Sequence, residues 1–453
     1  MSGLFHRLFP SLSRDIDTYF LDKLAPYKPK QFVTCSKELP SYRYVDLYEA
    51  ADEFTEQWEG VDHLASQHPN VDLTSLITGD FYNPGQLTIR RSEQKAWPSG
   101  PGEEEFLPVD VFWTSKGKNG PKTVIRLSEN PYTLKSRVDV ACSDAAAGEA
   151  CLKAIIAASE KNSIYRGAVL RLSFESGTRD EYGDVESTEN LRISFLTEKA
   201  VTSDDLIIDE ETREVLQRNV IDLFSRRDVL RANGVPIKRG VLLYGPPGTG
   251  KTFACRYLCE QTPQATRIFV TGSALTQVGA IFSAARMLQP CLLLLEDVDL
   301  AFSSREVNLY NSGLADLLDQ LDGVRSEDDI CVVMTTNSLD RMESAIKDRP
   351  GRVSQCIFMD APTFDLRKQY LQRYLRDFDA SALDLDALTE MSDGVSQAFL
   401  KEWIYRAVQI ATEDGEAGQV RTELKNADFR KALDEMKSFV DGVGAKIVGF
   451  TAR

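Results

Sequence analysis

The sequence predicts an α/β protein organised around a parallel five-stranded sheet with helices on both faces. A glycine-rich loop lies between an apolar run at 240–244 and a helical pattern, which is the order strand, loop, helix. Apolar strand-length segments then alternate with helical patterns, and this alternation is typical of a parallel sheet. After Pro362 only helical patterns remain, so a small all-helical part is expected to follow the sheet.

The glycine-rich loop consists of Gly245, Pro246, Pro247, Gly248, Thr249, Gly250, Lys251 and Thr252. Small residues allow several backbone N–H groups to converge on one anion, and the helix N-terminus adds positive partial charge there. We expect Lys251 to reach the β- and γ-phosphates of a bound nucleoside triphosphate and the Thr252 hydroxyl to bind Mg²⁺. A glycine-rich turn without a ligand is the alternative, and the full spacing with both flanks favours the phosphate site.

The other elements of this α/β region follow from periodicity. Further strands are predicted at 266–271, 291–295, 330–336 and 356–360, with helices at 281–288 and 314–321. The region would span 201–361 and open with a helix over 210–232. The helical part would span 362–440, with helices at 364–377, 383–391, 395–412 and 425–439, followed by a tail at 441–453.

The N-terminal half is predicted as two regions separated by a linker or long loop. Residues 1–91 are expected to be mainly helical, and the segment 92–108 is rich in Pro and Gly. An α+β domain at 109–200 follows, with strands at 109–113, 123–127, 137–141, 168–174 and 191–195 and a helix at 144–161. It contains no catalytic constellation, so we expect it to bind or position a protein partner.

Composition indicates a soluble globular protein that does not bind nucleic acid by default. The net charge is −16, hydrophobic residues make up 42 % and charged residues 27 %. The eight cysteines lack paired spacing, and no histidine lies near Cys255 and Cys259, so small buried thiols are favoured over a metal site. Unpaired cysteines, and the lack of a signal peptide or an apolar run of about 20 residues, predict a cytoplasmic protein.

Acidic and amide side chains follow two of the predicted strands. Glu296, Asp297 and Asp299 end an apolar strand, and Thr335, Thr336 and Asn337 end another. Strand C-termini and the glycine loop share one edge of a parallel sheet, so these groups can face the nucleotide. One carboxylate can serve the Mg²⁺ shell and the next can activate water, while the amide contacts the γ-phosphate. A solvated acidic turn and an ordinary turn asparagine are the alternatives.

Two arginines, Arg349 and Arg352, surround a Pro-Gly turn beyond the last of these motifs. A guanidinium group stabilises charge on a transferring phosphoryl group and can come from a neighbouring subunit. Surface ion pairs are the alternative for both residues.

In order and spacing, these motifs resemble the AAA family of P-loop ATPases over about half of the chain. The resemblance implies that the loop at 245–252 is Walker A, that Glu296 and Asp297 are Walker B, and that Asn337 is the sensor asparagine. It further implies trans-acting arginine fingers at Arg349 and Arg352 and an adenine site lined by Ile207 and Ile208. The helical part resembles the family's lid, with the stretch 396–398 near the nucleotide.

Two departures from the family pattern affect what we expect. The acids run Glu296-Asp297 instead of Asp-Glu, which resembles the mitochondrial Rieske-protein translocase (bc-complex assembly) branch, although its membrane anchor is not carried over. The shorter Asp297 carboxylate predicts slow hydrolysis or a shifted backbone. The stretch 273–279 is short and lacks the aromatic residue of polypeptide-threading members, which argues against processive threading.

The resemblance implies a chaperone-like ATP hydrolase that forms a homo-oligomeric ring and remodels or translocates a protein partner. A hexamer is the expected ring, with a heptamer as the alternative. Its cofactors would be ATP and Mg²⁺. One alternative is a nucleotide-gated assembly scaffold with slow hydrolysis. The other is a DNA-directed motor, which the negative net charge disfavours.

Overall fold

The chain divides into two compact units, Met1–Thr197 and Glu198–Arg453. A computed structural model describes residues 19–20, 23–58, 61–65, 71–78, 94–115, 122–130, 135–176, 189–197, 206–299, 312–325, 327–338, 353–413 and 423–443. The two units are described separately below.

The first unit contains an antiparallel five-stranded sheet and two hairpins. Its strands are β1 (Val33–Pro40), β2 (Val61–Ala65), β3 (Gln94–Gly100), β4 (Glu103–Pro108), β5 (Asp110–Ser115), β6 (Thr123–Asn130), β7 (Lys135–Cys142), β8 (Val169–Ser176) and β9 (Glu189–Phe195). The sheet has the order β1-β7-β6-β5-β2, while β3 pairs with β4 and β8 pairs with β9. The strands predicted at 109–113, 123–127, 137–141, 168–174 and 191–195 are thereby confirmed.

Both faces of this sheet are buried along its central strands β5, β6 and β7, whose side chains alternate between two apolar layers. Trp113 and Ile125 pack with the helices Tyr44–Glu56 and Ala145–Lys161, the second of which confirms the helix predicted at 144–161. Phe112 and Val124, one residue away on the same strands, pack on the other side with the helix Leu73–Thr78.

Two N-terminal predictions are wrong. Residues 33–40 and 61–65 do not belong to a separate, mainly helical region, because β1 pairs with β7 and β2 pairs with β5. Within the predicted linker at 92–108, the described residues 94–108 form the hairpin β3–β4. Four of its proline and glycine residues, at 98 and 100–102, lie at the register shift and the turn, and Pro108 is paired with Gln94 at the open end. Trp97 stacks on Tyr44 at 4.4 Å between ring centroids. Burial of Trp97 therefore outweighs the local breaker signals.

The second unit is built on the predicted parallel sheet. Its strands are β10 (Arg239–Tyr244), β11 (Thr266–Val270), β12 (Cys291–Leu295), β13 (Ile330–Thr336) and β14 (Gln355–Phe358), and their order is β14-β10-β13-β12-β11. Each neighbouring pair is parallel. All residues of β12 and β13 are buried, as expected for central strands covered on both faces. The α/β prediction and all five predicted strands are confirmed.

The helices that flank the sheet match the predicted segments with one difference. They are Lys251–Glu260, Val278–Met287 and Ser312–Gly323. A 3₁₀ turn at Gly272–Thr276 precedes the second of these helices. The helix predicted over 210–232 is divided into Glu210–Leu216, a π-helical turn Gln217–Ile221, Asp222–Ser225 and Arg227–Ala232. The wider turn contributes two neighbouring buried residues, Val220 and Ile221, which a regular helix would place 100° apart.

The helical part, called the lid from here on, consists of Phe364–Tyr374, Leu385–Met391, Gln397–Glu413 and Asn426–Val443. Its core surrounds Trp403, whose indole N–H donates to the Phe429 carbonyl at 2.8 Å. All four predicted helices are present. Among the described residues, no helix has the length and apolar character needed to cross a membrane.

Candidate nucleotide site

The glycine loop requires backbone conformations that only glycine adopts at low cost. Gly250, at the N-cap of the helix Lys251–Glu260, has φ 94°, and Gly245 has φ 149°. A Cβ atom on Gly245 would collide with the Met359 carbonyl oxygen, and one on Gly250 would collide with the Gln397 side chain. Neighbouring groups therefore pack so closely against Gly245 and Gly250 that no side chain fits at either position.

Lys251 lies inside the loop and is 6 % exposed. Its ammonium group donates to the carbonyl oxygens of Gly245 at 2.8 Å and Pro246 at 2.7 Å. Burial lowers the pKa of Lys251 to about 8, against the opposing effect of the negative charges of Asp297 and Asp299. The loop therefore holds a buried amine whose pKa is lowered to about 8, and the two carboxylates are close enough to oppose this effect.

This pKa predicts that ATP binding above about pH 8 is coupled to proton uptake, because the phosphates stabilise the charged form of Lys251. Affinity should fall as the pH rises through about 8, by at most about tenfold per pH unit. Calorimetric titration in two buffers of different ionisation enthalpy should show uptake at about pH 8.5 and little at about pH 6.5. Lys251→Arg, which stays charged, should abolish the uptake; equal uptake in both proteins would contradict the assignment.

The lid contacts the glycine loop directly. The Ala398 N–H donates to the Gly248 carbonyl at 3.2 Å, and the Gln397 side chain lies against Gly250. Ile207 is buried in the lid core, and its carbonyl accepts a hydrogen bond from the Tyr370 hydroxyl. Residues of the junction and of the lid thus converge beside the loop that is predicted to hold the phosphates.

The strand register brings the acids and the amide to the same edge as the loop. Tyr244 is paired with Thr336, so Gly245 and Asn337 leave the sheet at the same level. Leu295 is paired with Met334, which places the acids beside the end of β13. The common edge expected from the sequence is therefore observed.

Three hydrogen bonds join the ends of β12 and β13, and we call the residues involved, Asp297, Asp299, Thr335 and Asn337, the strand-end bracket. The Asp297 N–H donates to the Thr335 hydroxyl at 2.9 Å, and the Asn337 side-chain amide donates to the Asp297 carboxylate at 3.2 Å. The Asn337 N–H donates to the Asp299 carboxylate, also at 3.2 Å. The bracket fixes one carboxylate and one amide side by side.

Asp297 has φ 51°, in the left-handed region, where a non-glycine residue costs roughly 1–3 kcal/mol. Whether this turn makes up for the short carboxylate stays a prediction, since it depends on the position of the attacking water. Glu296 differs from Asp297, since its N–H still donates to the Val270 carbonyl of β11 at 3.0 Å. Burial is the main reason why the pKa of Cys255 is raised, and the Glu296 charge adds to it, so Glu296 is close to the helix after the loop.

The predicted site residues fall into three groups. The residues of the glycine loop, Glu296, Asp297 and Asn337 lie at one edge of the sheet, and the Thr252 side chain is exposed there. Ile207 is buried and Ile208 half-buried in the junction. Arg349 and Arg352 lie outside the described residues. Asp299 and Thr335, which are 7 % and 1 % exposed, received no role from the sequence, although both belong to the runs that were singled out.

The residues present suit a nucleotide with Mg²⁺. No group of three His, Cys, Asp or Glu side chains that could hold a metal occurs among the described residues. Mg²⁺ bound to nucleotide needs only one or two protein ligands, because phosphates and water supply the rest. A Thr252 hydroxyl with nearby carboxylates offers such oxygen donors.

The stretch 273–279, where the sequence lacks the aromatic residue of threading ATPases, directs its apolar side chains inward. Ala274, Leu275 and Val278 are buried, whereas Thr276 is exposed and Gln277 half-buried. The described part of this loop therefore presents polar groups to its surroundings.

Comparison with known proteins agrees with this site. The chain is 33 % identical over 269 residues to proteasome-activating nucleotidase 2 of Haloferax volcanii, covering 55 % of this chain and 63 % of the relative. It is 31 % identical over 254 residues to the proteasome-activating nucleotidase of Aeropyrum pernix, covering 52 % and 60 %. It is 32 % identical over 241 residues to the 26S proteasome regulatory subunit 8 homolog of Schizosaccharomyces pombe, covering 49 % and 57 %.

The chain thus spans about three-fifths of the length of these curated relatives. The family described as "ATPase family associated with various cellular activities (AAA)" matches residues 241–361. That range includes the glycine loop, the strand-end bracket and both arginines. Residues 241–361 of this protein therefore resemble the domain of that family, and the match is confined to this part of the chain.

Proposed function

We propose that this protein is an ATP hydrolase that forms a ring and uses ATP binding and hydrolysis to remodel or translocate a protein partner. The observation that carries the proposal is the meeting of the glycine loop and the strand-end bracket at one edge of the sheet. A phosphate-binding loop beside a positioned carboxylate and amide has the parts that phosphoryl transfer to water requires.

In the proposed reaction, Lys251 and the loop N–H groups hold the β- and γ-phosphates. Asp297 orients and deprotonates the attacking water, and Asn337 holds both that carboxylate and the γ-phosphate in place. Thr252 and Glu296 would hold Mg²⁺, partly through water, and the ion would neutralise charge on the phosphates. Ile207 and Ile208 line the adenine site, where junction and lid side chains meet.

The ring is part of the proposal because the arginine fingers would act on the ATP of a neighbouring subunit. Arg349 and Arg352 supply the positive charge that stabilises the transferring phosphoryl group, in a ring that we propose is a hexamer, with a heptamer as the other closed arrangement. Support comes from the AAA match, which includes both residues. The N-terminal unit, with its sheet buried on both faces and no catalytic cluster identified in its sequence, would hold the partner.

The relatives named above suggest a protein substrate, since their names refer to the proteasome. The Rieske-protein translocase branch remains our finer prediction, supported by the Glu296-Asp297 order. All eight cysteines are free thiols, and Cys255 and Cys259 are buried as predicted, which is consistent with the cytoplasmic location that we propose.

The nucleotide-gated scaffold with slow hydrolysis is the second candidate. It is favoured by the short carboxylate of Asp297 and by the inward-facing apolar side chains at 274–278. The two candidates differ in one measurement. Turnover that the protein partner accelerates supports remodelling, whereas turnover that is insensitive to it, together with an ATP-dependent change of oligomeric state, supports the scaffold.

The trans-acting role of the fingers predicts complementation between two inactive variants. Arg349→Ala should lose about 1,000-fold or more in kcat while still binding ATP, because the missing guanidinium acts on the transition state. Mixing it with Asp297→Asn should restore part of the ATPase activity. In mixed rings some interfaces pair an intact Asp297 site with an intact Arg349 from the neighbour.

Steady-state phosphate release, measured as the two variants are mixed in different ratios, tests this directly. Activity should be highest at intermediate ratios and absent for each variant alone. If Arg349→Ala hydrolyses ATP as fast as the wild type, the proposed finger is wrong. If the mixture is inactive although gel filtration shows mixed rings, the site does not act across subunits.

A further inference from the structure

We propose that Thr335 is a positioning residue, whose hydroxyl group holds Asp297 in the left-handed turn that makes a short aspartate side chain able to activate water. The inference rests on the proposed ATPase function. It assigns a role to a residue that belongs to one of the predicted strand-end runs but received no role of its own from the motifs.

The turn begins where the hydrogen bonding of the sheet ends. Glu296 still follows the sheet, because its N–H donates to the Val270 carbonyl at 3.0 Å. At the next residue φ is 51°, and Asp297 is the only described residue other than glycine with a positive φ. Its N–H donates to the Thr335 side chain of the neighbouring strand at 2.9 Å. The Thr335 hydroxyl group therefore accepts the Asp297 N–H at the point where backbone hydrogen bonding between the strands ends.

The turn decides where the carboxylate lies. An aspartate carboxylate is one C–C bond, about 1.5 Å, closer to its backbone than a glutamate carboxylate. The position of an aspartate carboxylate therefore depends more strongly on the backbone conformation than that of a glutamate carboxylate does. In the observed conformation it accepts a hydrogen bond from the Asn337 amide at 3.2 Å, and its charge opposes the lowering of the Lys251 pKa by burial. The carboxylate is thus held beside the end of β13, at the sheet edge from which the glycine loop also leaves.

Aspartate adopts left-handed conformations more readily than most residues, so the turn alone would be unremarkable. The pairing with Thr335 is more specific. Thr336, the next residue, directs its hydroxyl elsewhere, accepting from the Ser338 N–H at 3.1 Å. Thr335 is 1 % exposed, so water cannot readily replace its hydroxyl as the acceptor for Asp297.

The test compares Thr335→Val, which removes the hydroxyl and keeps the branched shape, with Thr335→Ser, which keeps the hydroxyl. For Thr335→Val we expect kcat to fall by about tenfold to 100-fold, because small displacements of a catalytic group cost this much. The dissociation constant for ATP should change by less than about threefold. Thr335→Ser should retain most of the wild-type kcat. Thr114→Val, a buried strand threonine outside the bracket, is the matched control.

Thr335→Ala, with less added apolar bulk, replaces Thr335→Val if the latter does not fold, as judged by thermal unfolding with and without ATP. The double variant of Thr335→Val with Asp297→Asn should be no slower than Asp297→Asn alone, since both changes act through one carboxylate. Two results would overturn this inference alone, provided that the wild type hydrolyses ATP. One is a wild-type kcat in Thr335→Val, and the other is a loss of kcat in Thr335→Ser as large as that in Thr335→Val. A wild type that binds ATP without hydrolysing it would overturn the proposed function and this inference with it.

Discussion

Asp297→Asn is expected to lower kcat for ATP hydrolysis by about 100-fold or more while ATP remains bound. Asparagine has the size of aspartate and tolerates the left-handed backbone at this position, so the turn should persist. It cannot accept the proton of the attacking water. Phosphate release measures the loss, and binding of a fluorescent ATP analogue measures the retained affinity.

Asp316→Asn is the control for this substitution, because Asp316 is exposed on the helix Ser312–Gly323. It should leave both measurements at the wild-type level. Wild-type turnover in Asp297→Asn would show that another carboxylate activates water. Glu296→Gln would then be the variant to compare, and the roles given to the two acids would have to be exchanged.

Lys251→Met is expected to weaken ATP binding by about 100-fold, or about 3 kcal/mol, and to abolish hydrolysis at ordinary ATP concentrations. Methionine fills a similar volume at this buried position but offers no charge to the phosphates. Equilibrium binding gives the affinity, and hydrolysis at increasing ATP concentration shows whether kcat can be recovered. The effect differs in kind from that of Asp297→Asn, in which binding persists.

Lys431→Met, on the exposed side of a lid helix, should bind ATP like the wild type and controls for the loss of a lysine. Thermal unfolding without nucleotide separates a binding defect from a folding defect. If Lys251→Met is stable and binds ATP with wild-type affinity, the glycine loop is not the phosphate site.

Much of the nucleotide site could be predicted because its signals are local. The glycine loop is one continuous stretch between a strand and a helix, and its spacing alone indicates the phosphate site. The acids and Asn337 each follow an apolar strand, so the general rule for parallel sheets places them at one edge. The register of Tyr244 with Thr336 confirms that expectation.

The N-terminal unit shows where local signals are insufficient. Val33 pairs with Cys142, far along the chain, and no short window of sequence contains both partners. The segment 92–108 contains proline and glycine, which locally favour a loop, yet Trp97 and Leu107 are buried and the segment forms a hairpin. Burial of apolar surface by distant residues overrides local preference there.

The sequence by itself determined the parallel sheet, the phosphate loop and the identity of the acids, because these depend on periodicity and spacing within single segments. Only the tertiary structure decided the backbone conformation of Asp297 and therefore the position of its carboxylate. Its left-handed turn is coupled to the hydroxyl of Thr335, on a neighbouring strand some forty residues later in the chain. Such a contact depends on strand register and on the end of the hydrogen-bond ladder, which arise only when the sheet has assembled.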